Sequence, residues 1–312
     1  MQFLSCDWGT SNFRLRLVES KTKEILKEVI IPEGISSVYS RWKQSLLPDS
    51  ERVSFYKQVL SKAILSLGQL EVTPIPLILS GMASSSIGLL ELPYMKFPFN
   101  LNAKQLKFAN LEPDEDFEHP IFIISGACTE EDIMRGEEVM LMGCANVPKK
   151  DGVYIFPGTH SKHVIVQNAK ATEFKTYITG ELFNLLIKKS IISNSVESGV
   201  DRSSFIQGVQ DSGSADLLHQ IFAIRSKDIL KGKDPVQNYQ YLSGLLIGTE
   251  LRKLDFSLFP IYVVSENPLL CLYAAALSEI DGTVEIKLMS SDQALINGHL
   301  NFLNELSLVP VS

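Results

Sequence analysis

The chain has 312 residues, a formal net charge of −7, 45% hydrophobic and 21% charged residues, the balance of a soluble globular protein with room for two ordinary domains. An acidic composition without a block of like charges argues against nucleic acid as the main partner, because that needs a basic face to neutralise phosphates. No apolar stretch approaches the roughly 20 residues that cross a bilayer.

The N-terminus opens on Phe3–Cys6, a short buried strand with no basic region or cleavage site before it, so a cytoplasmic protein without a secretory signal is expected. Asp7-Trp8-Gly9-Thr10-Ser11-Asn12 reads as a tight polar turn. Phe13, Leu15 and Leu17 then alternate with Arg14 and Arg16, the period of a half-buried strand, and a turn at Ser20–Lys23 leads into a third strand over Ile25–Ile31. Ser54–Leu67 predicts a helix, Pro76–Ser80 and Ile121–Ser125 predict short strands, and Gly136–Cys144 a helix. A polar break at Val147–Gly152 marks the expected domain boundary.

The opening arrangement then recurs. Val153–Phe156 is strand-like, Pro157-Gly158-Thr159-His160-Ser161-Lys162 is a polar Gly-Thr turn, and His163–Val166 and Thr172–Ile178 are strands joined by Asn168-Ala169-Lys170. Gly158 lies 149 positions after Gly9, close to half the chain, which suggests a duplicated domain with halves at 1–148 and 149–312. Helices are expected at Gly180–Lys189, Ala215–Ile224, Tyr239–Leu254, Pro268–Ser278 and Asp292–Leu306, with strands at Pro260–Val264 and Val284–Leu288. The fold class is therefore α/β, each half a mixed sheet with helices on both faces. Cys6, Cys128, Cys144 and Cys271 show no CxxC spacing and are read as reduced thiols.

A glycine leaving a strand lets backbone amides approach an anion, and a following Thr or Ser adds a hydroxyl donor. One such turn is no more than a hairpin; a matched pair at half-length spacing points to polyphosphate binding. Asp7 beside the first turn suits a magnesium ion held mainly through waters and phosphates, although an Asx-turn is the bland alternative. The second turn carries Phe156-Pro157 in place of Asp7-Trp8, so metal binding falls on Asp7 alone. Walker A, G-x-G-x-x-G, H-E-x-x-H and nucleophile-elbow patterns are all missing.

With these motifs the chain resembles the sugar kinase–actin–heat-shock chaperone superfamily, and within it the 2-dehydro-3-deoxygalactonokinase family. The matching runs are Asp7-Trp8-Gly9-Thr10, Ser80-Gly81-Met82, Pro93-Tyr94, Ile133-Met134-Arg135-Gly136-Glu137-Glu138, Pro157-Gly158-Thr159-His160-Ser161-Lys162, Thr179-Gly180-Glu181-Leu182-Phe183 and Tyr241-Leu242-Ser243-Gly244-Leu245-Leu246-Ile247-Gly248. Two departures stand out. Ala83–Leu89 replaces an Arg-Gln-Gly-Trp-like stretch, and His163 stands where Trp usually follows the lysine.

The resemblance implies two ribonuclease-H-like domains with a central nucleotide cleft, and an ATP- and Mg2+-dependent kinase acting on the primary hydroxyl of a 2-keto-3-deoxy sugar acid, first of all 2-dehydro-3-deoxy-D-galactonate, to give the 6-phosphate. A phosphohydrolase of the same superfold is the alternative. Asp7, Gly9, Thr10 and Ser11, with Gly158, Thr159 and His160, would handle phosphates and magnesium; Asn12 and Arg14 lie near enough to assist, Ser161 belongs to the same second turn, and Lys162 is either a point charge for a phosphate or an exposed hairpin lysine. Ser265, Glu266 and Asn267 would sit near the adenosine, with the Gly244 and Gly248 helix packed close. Glu137 is the preferred catalytic base, then Asp132, with Glu138 also open; helix-start carboxylates favoured by the dipole are the competing explanation. Arg135 would meet the substrate carboxylate, and Gly81, Met82, Ala83 and Ser84 the sugar. The expected partner is a small-molecule sugar acid, with no nucleic acid and no membrane; a homodimer is compatible with the sequence.

Overall fold

Strand β1 (Gln2–Trp8) is covered on both faces, with Phe3, Leu4, Cys6 and Trp8 fully buried, as in a central strand. β2 (Phe13–Glu19) runs antiparallel beside it, and β3 (Ile25–Ile31) alternates half-buried and exposed positions as an outer strand. These come from a computed structural model of the chain, which describes residues 1–70, 74–144, 151–214, 216–255 and 260–306. Helices α1 (Ile35–Gln44) and α2 (Arg52–Ser66) follow. Then come β4 (Leu77–Gly81), β5 (Met95–Lys96), β6 (Phe99–Asn100), β7 (Phe108–Leu111), β8 (Ile121–Ile124), β9 (Ala127–Cys128), β10 (Ile133–Met134) and α3 (Glu137–Cys144).

The second meander is β11 (Gly152–Phe156), β12 (Ser161–Gln167) and β13 (Lys170–Tyr177). After it run α4 (Thr179–Lys189), α5 (Arg202–Asp211), α6 (Leu217–Lys231), α7 (Pro235–Leu251), β14 (Ile261–Val264), α8 (Leu269–Ile280), β15 (Ile286–Met289) and α9 (Ser291–Glu305).

The chain divides into two compact units: Met1–Lys149 with Ala169–Thr172 and Asp292–Ser312, and Lys150–Asn168 with Glu173–Ser291. In the first, the sheet order is β3-β2-β1-β4-β8-β7, with β1, β4 and β8 parallel. In the second, β13-β12-β11-β14-β15 repeats the first five places of that order, and β11, β14 and β15 are again parallel. The same topology twice is the structural form of the internal repeat.

One face of the first sheet packs Leu4, Cys6 and Trp8 against Ile35, Val38, Tyr56 and Leu60 of α1 and α2. Trp8 lies 5.0 Å from Phe13 and 5.6 Å from Tyr56 between ring centroids, and burial of each such side chain contributes about 1.5–3 kcal/mol. Trp8 therefore belongs to the strand and core, and the polar turn begins only at Gly9. On α9, Gly298 abuts the Val139 backbone of α3, and Phe302 packs on Phe108 and Phe122.

In the second unit α7 is buried along most of its length and crosses α5 closely: a Cβ on Gly244 would strike the Phe205 carbonyl, and one on Gly208 the Tyr241 carbonyl. Asp234 caps α7 through the amides of Val236 and Gln237, with Pro235 in its first turn. Helices α1 and α5 are elements the sequence reading lacked. Of the expected boundary at Val147–Gly152, residues 147–150 lie outside the described residues, as does the expected helix start at Ala215. Among the described residues the four cysteines form no disulfide, and no helix is long and apolar enough to cross a membrane.

Candidate active site

In the first unit the turn after β1 closes through the Gly9 amide donating to the Asn12 carbonyl at 2.9 Å. Its remaining carbonyls are taken by the start of α1: Ile35 donates to Gly9, Ser36 to Thr10 and Gly34 to Ser11 at 2.9, 3.2 and 3.0 Å. A Cβ on Gly34 would collide with the Thr10 and Ser11 backbone, so only glycine lets the helix dock there. With its acceptors used, the exposed turn Thr10–Asn12 presents mainly donors, the chemistry an anion needs. Gly34 is a site-building residue absent from the sequence reading; its only signal was a glycine before an amphipathic run.

Asp7 ends β1 opposite Arg14 and next to Ser80 of β4. Its Oδ1 lies 3.3 Å from where a Gly81 Cβ would be, and Gly81 (φ +80°) approaches Gly136 (φ +104°) closely enough that a Cβ on Gly136 would lie 3.6 Å from the Gly81 Cα. Both glycines hold left-handed conformations that side chains resist. Burial pushes the Asp7 carboxyl up; Arg14 and Arg16 pull it down, while Glu137 and Asp292 add to the rise, and the net shift is upward. Asp7, Gly81, Gly136 and Glu137 thus converge at the carboxyl ends of parallel strands, the usual ligand edge of such a sheet.

The three candidate bases differ in how they are held. Glu138 is fully buried and accepts the Gly136 amide with both oxygens at 3.0 and 2.8 Å. Burial and the neighbouring Glu137 push its pKa up to about 8. It is a helix-start support. Asp132 accepts the amide of Ile133 at 2.8 Å, a local turn contact. Glu137 accepts the Arg135 amide at 3.1 Å, is half-buried, and stands within electrostatic reach of Asp7.

Arg135 stacks on Tyr94 at 4.1 Å, donates Nε to the Tyr94 hydroxyl at 3.1 Å, and donates Nη1 to the Ser84 carbonyl and hydroxyl at 2.7 and 2.9 Å. Among the described residues its Nη2 has no partner. Ser84 and Ala83, expected to meet a sugar, are instead fully buried: Ala83 packs in the core and Ser84 serves Arg135. Met82 is partly buried against that core. The divergent loop Ala83–Leu89 is pinned by α2, where Arg52 donates to the Ser86 and Gly88 carbonyls and Tyr56 to the Ile87 carbonyl at 2.6 Å.

The second unit repeats the first turn's logic. Its Thr159 carbonyl accepts the Glu181 amide from the start of α4 at 2.9 Å, and a Cβ on Gly180 would strike Gly158. Among the described residues other than its chain neighbours, nothing lies within 4 Å of where a Gly158 Cβ would be. Ser161 and Lys162 are buried in β12, so the turn is shorter than expected; Lys162 donates to the His160 carbonyl at 3.0 Å and is no exposed hairpin lysine. His160 pairs with Glu181 at 2.5 Å.

A cavity of about 1010 Å³ opens beside this turn, lined by Gly158, Gly180, Phe183, Tyr239, Ser243 and Leu272 among others. Gly244 faces α5 and packs there, not on the cavity. Ser265, Glu266 and Asn267 follow β14 just before its lining residue Pro268; Glu266 accepts the Ser290 hydroxyl at 2.5 Å and Asn267 the Cys271 thiol at 2.9 Å.

The profile of the 2-keto-3-deoxy-galactonokinase family matches residues 7–302. The chain belongs to this family. Its members' shared chemistry makes it a sugar kinase, a phosphotransferase. It is 27% identical over 263 residues to the 2-dehydro-3-deoxygalactonokinase of Escherichia coli (strain K12), covering 81% of this chain and 80% of that one. It is 28% identical over 310 residues to "Probable 2-dehydro-3-deoxygalactonokinase DgoK1" of Rhizobium meliloti (strain 1021), covering 95% and 94%. The crystal structure of a Sinorhizobium meliloti protein provisionally named for the same activity superposes with a TM-score of 0.83 at 25% identity, covering 99% of this chain and 98% of that one. The fold is also similar to the activator of 2-hydroxyisocaproyl-CoA dehydratase from Clostridium difficile, solved with bound ADPNP, at a TM-score of 0.51 and 11% identity over 100% and 99% of the two chains. The sugar-kinase and two-domain expectations drawn from the motifs therefore hold.

Proposed function

We propose that this family member transfers the γ-phosphoryl group of ATP to the primary hydroxyl of 2-dehydro-3-deoxy-D-galactonate, giving the 6-phosphate. The observation that carries the reading is the convergence of Asp7, Gly81, Gly136 and Glu137 in the first unit, with Arg135 held beside it. The first unit is the substrate side and the second the nucleotide side.

Glu137 is the base that orients the attacking hydroxyl, as phosphoryl transfer asks mainly for positioning and charge neutralisation; Asp132 is the second choice. The unpartnered Nη2 of Arg135 is turned to account by the substrate carboxylate, its other nitrogens being locked by Tyr94 and Ser84. Gly81 and Met82 line the sugar side. The donor-rich turns Gly9–Asn12 and Gly158–His160 bind phosphate oxygens.

Among the described residues no three His, Cys, Asp or Glu side chains gather into a cage. A single carboxylate at Asp7 fits a magnesium ion that keeps most of its shell as water and phosphate oxygen. Asp7 would hold it, and the ion would supply neutralisation of phosphate charge. The second-unit cavity is of a size for adenosine, consistent with the nucleotide bound by the C. difficile relative of the fold.

The test is ADP formation measured with 2-keto-3-deoxygalactonate, with 2-keto-3-deoxygluconate and with no sugar acid. The reading expects the galactonate derivative to give the highest kcat/KM and the blank to give almost nothing. Phosphate release independent of any sugar acid would replace it with a phosphohydrolase.

A further inference from the structure

Glu250, on α7, is buried at 3% exposure, yet its carboxylate is saturated with donors. Oε1 accepts the Ser161 hydroxyl at 2.7 Å and pairs with His163 Nε2 at 2.7 Å. Oε2 accepts the Thr179 hydroxyl and the Tyr273 hydroxyl, the latter at 2.9 Å. Four donors match the roughly four lone-pair sites of a carboxylate. Burial pushes this carboxyl up, but His163, Thr179 and Ser161 outweigh that and hold it below its ordinary range. An isolated buried charge would be very costly; a fully bonded one is a rigid joint.

The position of the donors gives the joint its meaning. Ser161 is the first residue of β12, directly after Gly158-Thr159-His160. Thr179 opens α4 and precedes Gly180, whose missing side chain lets α4 rest on the Gly158–Thr159 backbone. Tyr273 of α8 and Thr179 also line the 1010 Å³ cavity. One carboxylate therefore clamps both sides of the second turn and a wall of the cavity, while reaching neither itself.

We propose that Glu250 is a positioning residue for nucleotide binding: it locks the Gly158 turn to the start of α4 and to α8 in the arrangement that receives the nucleotide. This rests on the assignment of that turn to nucleotide. Glu250 performs no chemistry. Glu250→Gln keeps the shape but turns one acceptor into a donor facing donors, so the clamp opens on one side.

The experiment measures the ATP dissociation constant by calorimetry, the KM of each substrate and the thermal midpoint for Glu250→Gln, Ser161→Ala and Gly158→Val. The expected result for Glu250→Gln is ATP affinity weakened by about tenfold or more with the sugar-acid KM within about twofold of the parent. Ser161→Ala, which leaves the carboxylate and removes one donor, weakens ATP by a smaller factor with the same split, and it decides the matter if Glu250→Gln does not fold. Gly158→Val adds bulk into open space and abolishes ATP binding. Unchanged ATP affinity in Glu250→Gln or, failing that variant, in Ser161→Ala, or an equal rise of both KM values, overturns the role of Glu250 while Gly158→Val still loses ATP. Intact ATP binding in Gly158→Val overturns the assignment of the turn, and the role of Glu250 with it.

Discussion

Arg14 donates Nη1 to Asp292 at 2.9 Å, tying the strand opposite Asp7 to the first turn of α9. The same Asp292 lies 2.6 Å from Nη2 of Arg16, which is 1% exposed and also bound by Glu28 at 2.7 Å. The carboxylate thus neutralises two arginines beneath the site, and Arg14 is a partner of α9 before it is a partner of phosphate. Asp292→Asn should lower stability by about 1–3 kcal/mol, since it withdraws charge from a buried guanidinium. Urea denaturation of the two proteins checks this; an unchanged midpoint would mean that Glu28 alone suffices.

Glu137→Gln removes the proposed base and leaves the α3 start intact, because Gln still accepts the Arg135 amide. The expected outcome is a loss of kcat by about 10²-fold or more with ATP affinity unchanged. If Asp132→Asn shows that loss and Glu137→Gln does not, the assignment passes to Asp132.

Glu138 carries a pH signature. Its pKa stands near 8 in the folded chain against 4.5 as the ordinary value. Between those values the folded state holds a proton that the unfolded state has released, so the contribution is full below about pH 4.5 and is lost as pH rises through about 8. The ceiling on this loss is about 5 kcal/mol at about 1.4 kcal/mol per pKa unit. Glu138→Gln cannot ionise. Its thermal midpoint relative to the parent should therefore rise steadily from pH 5 to pH 8, and a pH-independent difference would contradict a protonated Glu138.

Gly180→Ala places a Cβ against the Gly158 carbonyl and, at 2.9 Å, the Thr159 Cα. Backbone on both sides leaves no flexible atom to yield, so α4 must back away from the turn. ATP KM should rise about tenfold, with a stability cost of about 1–3 kcal/mol. Parent-like ATP kinetics would show that the helix start is not needed there.

The elements that were legible in the sequence are those with a local signature. Phe13, Leu15 and Leu17 alternating with arginines mark β2, and the two Gly-Thr turns mark the repeat that reappears as matching strand orders. What escaped depends on residues far apart in the chain. Nothing near Glu250 announces that Ser161, His163, Thr179 and Tyr273 will surround it. Lys162 looks like a turn lysine until β12 is seen to begin at Ser161. Ala83 follows a promising strand end, yet the chain bends there into the core. Gly244 lies in a motif of the family and serves helix crossing, a use that sequence cannot separate from ligand approach.

The most direct measurement is phosphorus NMR of the product formed from ATP and 2-dehydro-3-deoxy-D-galactonate by the parent chain and by Glu137→Gln. The expected spectrum shows a phosphate monoester on the terminal CH2 oxygen for the parent and almost none for the variant. Orthophosphate beside ADP with no ester signal, or an ester on another oxygen, would contradict the account.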